Sequence, residues 1–82
     1  MKCEIGMRAA DEIRRTAYGK CNDKEEAKRI GIRRKSFYDW DNGRSDPSTY
    51  NLQKMALAGY DVHYILTGER LWGKEGGKNA AD

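Results

Sequence analysis

Apolar residues recur at helical spacing along most of the chain, in five short runs punctuated by glycine. Ile5, Ala9, Ala10, Ile13 and Ala17 recur at spacings of three and four, which predicts a first helix over about residues 6–17. Arg8, Asp11, Glu12, Arg14 and Arg15 fall on its opposite face, and Tyr18-Gly19 ends it. Asn22 or Asp23 starts a second helix, with Glu26 three residues after Asp23 as the returning acid of a capping box. Ala27 and Ile30 point inward from it, and Gly31 stops it. A third helix begins just beyond Ile32 and runs to about Asp41, with Phe37 and Trp40 on one face and Asn42-Gly43 closing it. Asp46 and Pro47 read as cap and first-turn pair of a fourth helix, whose buried stripe is Leu52, Met55 and Ala56. Asp61 caps a short fifth helix with Val62, Ile65 and Leu66 inside, ended by Gly68. Tyr18, Tyr50, Tyr60 and Tyr64 are expected to plug the edges of the core with their hydroxyls in water.

The expectation is therefore an all-α domain of five helices over residues 1–70, followed by a C-terminal tail, 71–82. From Gly73 onward "GKEGGKNAAD" has no apolar residue larger than alanine, so 74–82 read as disordered.

Length and composition narrow the function. With 82 residues, one small domain is the limit and a two-domain enzyme is excluded. Charged residues make up 35% against 38% hydrophobic, and no run is long enough for a membrane span or a signal peptide, so a soluble cytoplasmic chain is expected. Cys3 and Cys21 do not make a disulfide framework, and His63 is the single histidine, so neither a zinc site nor another metal site is expected. No nucleophile elbow or phosphate-binding loop is present, and neither enzymatic activity nor a cofactor is expected. The net charge of +3 is unevenly spread. Lys28, Arg29, Arg33, Arg34 and Lys35 follow one another with no acid between Ala27 and Tyr38, the footprint of a phosphate-backbone partner or of a solvated helix face.

The junction between the second and third helices discriminates among small bundles. Ala27 sits where two helices cross closely, Gly31 makes the sharp turn, and Ile32, Phe37 and Trp40 anchor the next helix while leaving its other face free. These residues, with "WDNGRSDPS", the Leu52-x2-Met55-Ala56 stripe and "GYDVHYILTGE", make residues 5–70 resemble the phage repressor and Cro family of helix-turn-helix regulators, a lambda-repressor-like domain. Three departures stand out: Asp23 replaces the family's usual glutamine at the start of the second helix, Arg33 replaces a frequent serine, and the loop "YGKCND" is about one residue longer.

The resemblance implies a bacterial or phage transcriptional regulator that reads double-stranded DNA, a palindromic operator, as a homodimer in the cytoplasm or nucleoid. By position it implies base contacts from Arg33, Arg34, Lys35, Tyr38 and Asp39, and phosphate contacts from Ser36, Asn42, Arg44 and Lys28. Asp39 either accepts from a cytosine or orients a neighbouring cation, and Arg33 and Arg34 either contact DNA or are solvated or paired with Glu25 or Glu26. Leu71 and Trp72 either pack across a dimer interface or fold back over the monomer's own core. The rival reading is an antitoxin-like or antirepressor-like adaptor that binds a protein with the same fold; Asp23, Asp39 and Asp41, near the expected DNA face, give it weight.

Overall fold

Helix α1 (Glu4–Ala17) is the platform: α2 (Asp23–Arg29), α3 (Arg34–Asp41) and α5 (Val62–Thr67) all pack on it. Its buried positions include Gly6, Ala9, Ala10, Ile13 and Ala17. So many small side chains let three neighbours approach one helix closely. Helix α4 (Thr49–Leu57) packs its backbone only against α5 but sends Met55 into the centre. The computed structural model describes residues 2–70, and within them the chain is all α-helical with no strand. The expected dimer contacts Leu71 and Trp72 and the tail 74–82 lie outside the described residues.

The largest fully buried side chains are Trp40, Ile13, Met55 and Ile65, one each from α3, α1, α4 and α5. Ala27, Ile30, Ile32 and Phe37 complete the core, with Ile5, Leu52, Tyr60 and Val62 packed at its margin. Among the described residues no helix is long and apolar enough to cross a membrane.

Of the two starts expected for α2 the structure takes Asn22, with Glu25 rather than Glu26 closing the capping box, and the start of α4 differs from expectation; in both an acid is engaged elsewhere. Asn22, not Asp23, caps α2: its side chain accepts from the Glu25 N–H at 2.8 Å, and Glu25 reaches back to the Asn22 N–H. Glu26 is instead drawn inward. Likewise Ser48, not Asp46, caps α4, and Pro47 precedes the helix. Asp46 accepts instead from the Gly6 N–H at 2.8 Å. Cys3, the residue that opens α1, offers no side-chain cap, so an aspartate 40 positions away satisfies one orphan donor of that helix. Gly6 makes this approach possible, because a Cβ there would overlap the Ser45 carbonyl oxygen and crowd the Trp40 Cα at 3.3 Å.

Several side chains also sit elsewhere than expected. Glu12 is only 5% exposed, because Arg70 and Arg15 bring two guanidinium groups to its carboxylate. Arg70 also pairs with Asp61 at 3.1 Å and lies 4.0 Å over the Tyr64 ring, clasping α1 to the start of α5. Ala56 and Leu66 are exposed, since each lies a step of about 100° around its helix from the buried Met55 or Ile65. Tyr18, 88% exposed, and Tyr50 stand out from the surface rather than plugging it. Tyr60 does plug the core margin, but its hydroxyl donates to Glu26 rather than to water.

Candidate nucleic-acid interface

The α2–α3 junction is set by one backbone reversal. Gly31 takes φ +86°, a conformation a side chain disfavours, and the following Ile32 N–H returns to the Ala27 carbonyl at 2.8 Å. Ile32 is thereby driven into the core beside Ala27, and α3 starts two residues later in a new direction. The turn is braced from within α2: Glu26, 3% exposed, accepts two bonds from the Arg29 guanidinium at 2.9 and 2.7 Å and a third from Tyr60. The Arg29 bonds hold the Glu26 carboxyl below its ordinary value of 4.5 despite burial, and Tyr60 adds to this. Burial, and then the bond to Glu26, push the Tyr60 phenol well above its ordinary value.

Helix α3 turns Phe37 and Trp40 inward, and Arg14 of α1 holds its far end by an ion pair to Asp41 at 2.7 Å. That contact, opposed by burial, raises the Arg14 pKa. At about 100° per residue, Lys35, Tyr38, Asp39 and Asn42 occupy the side opposite Phe37 and Trp40. Arg34 is turned toward α2, where it lines a groove with Lys24, Lys28 and Arg33; Ser36 is turned toward α4. Arg33 opens the helix in extended conformation and offers no side-chain cap, so positive helix-end dipole and arginine charge coincide there.

The expected base and phosphate contacts thus share one surface, but they are not equally free. Asp39 accepts from Lys35 at 3.2 Å. The Asn42 amide donates to the Tyr38 carbonyl at 2.8 Å, and Arg44 lies 5.6 Å over the half-exposed Tyr38 ring. Arg33 and Arg34 do not pair with Glu25 or Glu26, whose carboxylates serve Asn22 and Arg29 with Tyr60.

A division among the arginines follows. Arg8, Arg14, Arg15, Arg29 and Arg70 each meet a carboxylate, and all lie off the outer face of α3. Among the described residues Lys28, Arg33, Arg34 and Arg44, all exposed and gathered around α3, have no carboxylate within 4.0 Å. Of the three acids expected near this face, Asp41 is neutralised by Arg14 and Asp39 by Lys35; Asp23 remains, lining a groove with Lys24, Arg34 and Lys35, and Glu25 lines the neighbouring groove with Arg33 and Arg34.

The structure adds residues that sequence reasoning missed. Lys24 lines both grooves on the α2 side, and Lys54, Asn51 and Tyr50 line the groove between α3 and α4. Lys24 stands among acids in the chain, outside the basic run, and Lys54 is distant in sequence; only the helical period of α2 and α4 hinted at their exposure. Cys3 and Cys21 are free thiols, and no group of three potential metal ligands occurs among the described residues.

No family model, no curated protein and no solved structure matches this chain.

Proposed function

We propose that this chain is a sequence-specific DNA-binding regulator of the phage repressor and Cro type, a lambda-repressor-like domain with α2 and α3 as its helix-turn-helix. Helix α3 enters the major groove, and the protein acts by occupying an operator rather than by catalysis. The observation that carries this reading is the division of the arginines among the described residues: Arg8, Arg14, Arg15, Arg29 and Arg70 each meet a carboxylate, and Arg33, Arg34 and Arg44, around α3, meet none. Arginines held for internal structure need partners; arginines without them, beside a helix that buries its other face, suit an anionic partner.

Arg34 and Lys35 are the best candidates for guanine O6 and N7, with Arg33 and Tyr38 beside them. Asp39 positions Lys35. Lys28, Ser36, Asn42 and Arg44 hold phosphates on either side. A single α3 reads only a few base pairs, so the protein is expected to bind a palindrome as a homodimer, with half-sites about 34–36 Å apart.

Titration of the 82-residue chain against DNA over a salt series tests the reading. Several phosphate contacts predict affinity that falls steeply with salt, with a log–log slope near −0.9 for each. Arg34→Ala is expected to cost roughly 1–3 kcal/mol on the cognate site and to relax one base position. Equal losses on all sequences would demote Arg34 to a phosphate contact. Absence of DNA binding at any salt would favour the protein-binding adaptor.

A further inference from the structure

The groove between the α2–α3 turn and α4 differs from those on the opposite flank of α3. It is lined by Gly31, Arg33, Ser36, Tyr50, Asn51 and Lys54, with no carboxylate. The two α2-side grooves each include acids, Glu25 in one and Asp23 with Asp41 in the other. The α4-side groove therefore carries two cations, a hydroxyl, an amide and a phenol, and no acidic side chain to repel an anion.

Its donors are largely uncommitted. The side chains of Arg33, Ser36 and Asn51 make no hydrogen bond among the described residues; Asn51 uses only its backbone N–H, toward Ser48. Lys54 is half-buried and fixed in place: its Nζ donates to the Gly31 carbonyl at 2.8 Å and stands 4.4 Å from the Tyr50 ring centroid. An ammonium has three N–H donors, so one bond to a neutral carbonyl leaves its charge and further donors unspent. Among the described residues this is also the one hydrogen bond that ties α4 to the α2–α3 unit.

We propose that this groove seats one backbone phosphate of bound DNA, with Lys54 as its principal donor and Arg33, Ser36 and Asn51 around it. The proposal rests on the DNA-binding reading and adds a residue and a helix to it. A compact lysine charge beside a hydroxyl and an amide, on the flank of α3 rather than its outer crest, suits a phosphate better than a base edge. Through its bond to Gly31, Lys54 also acts on the reading helix. The same ammonium that would meet the phosphate holds the turn that aims α3, so seating the backbone and orienting that helix are coupled.

Lys54→Met and Lys54→Arg, made in the 82-residue chain and titrated over a salt series on cognate and scrambled duplexes, test the assignment. Lys54→Met is expected to lose about tenfold in affinity on the scrambled duplex, as one charged hydrogen bond is removed, and more on the cognate duplex, where α3 also loses the bond that aims it. Its log–log salt slope should become shallower by about 0.9, while Lys54→Arg keeps the original slope. An unchanged slope in Lys54→Met overturns the proposal even if affinity falls, because Lys54 then acts only through Gly31. Should Lys54→Met fail to give a cooperative melt, Asn51→Ala decides: its side chain makes no hydrogen bond to the turn, and it should show a smaller, sequence-independent loss; no loss overturns the groove. If the unaltered chain binds no DNA, the functional reading itself fails, an outcome distinct from binding with an unaltered slope in the variant.

Discussion

Glu26 is the residue whose placement most constrains the interface. Its carboxylate is buried, takes two bonds from Arg29 and one from Tyr60, and sits one residue before Ala27, where α1 and α2 meet. Arg29 holds its pKa below the ordinary 4.5, so the folded state binds a proton there less readily than the unfolded chain does. Its contribution to stability is therefore present above about pH 4.5 and is lost as pH falls through the depressed folded value. Thermal melts between pH 7 and pH 3 should show this acid limb. Glu26→Gln should flatten it and lower stability at neutral pH; an equally steep acid loss in Glu26→Gln would assign the limb to other carboxylates. Tyr60 works in the opposite sense: with its pKa raised, its contribution is present below its ordinary value of 10.0 and is lost as pH rises above it.

At the scale of elements, three of the five helices depend on a residue borrowed from elsewhere. Asp46 supplies α1 with its N-terminal acceptor, Arg8 donates to the Ile65 and Leu66 carbonyls near the end of α5, and Lys54 caps the turn after α2. The close approach at Gly6 makes the first of these testable. Gly6→Ala, ordinarily stabilising in a helix, should here destabilise by about 1–3 kcal/mol in denaturant melts, because the new Cβ meets the Ser45 backbone. A neutral or stabilising effect would show that the 43–47 loop yields freely.

Helix count, order and breaks were legible in the sequence, because apolar spacing and glycine act locally; Gly31 and the pair Phe37 and Trp40 were readable for that reason. What was not legible depends on distance. Asp23 with Glu26, and Asp46 with Pro47, match capping signals as well as the residues that do cap, but Glu26 and Asp46 answer to Arg29, Tyr60 and Gly6. Glu12 likewise lies on what reads as a polar face until Arg70 folds onto it. The exposed crest of α3 followed from the same spacing that placed its core, whereas Lys54 and Asn51 join the site only because α4 returns beside the turn.

For the whole molecule, a net charge of +3 understates the asymmetry. Acids and arginines cancel in the clasps between helices, Glu12 and Asp61 with Arg70 and Asp41 with Arg14, and within α2 in the pair of Glu26 with Arg29. The arginines left uncancelled among the described residues, Arg33, Arg34 and Arg44, gather around α3. A domain with so small a surplus is expected to bind DNA weakly without its base contacts, and so to depend on sequence and on a second copy of itself.

Selection of binding sites from random double-stranded DNA by the 82-residue chain is the most direct test of that dependence. The expected result is enrichment of a palindrome whose half-sites contain guanines and lie about one helical turn apart, with the preference at one position relaxed in Arg34→Ala. Recovery of no enriched sequence, with the chain folded and monodisperse, would contradict it.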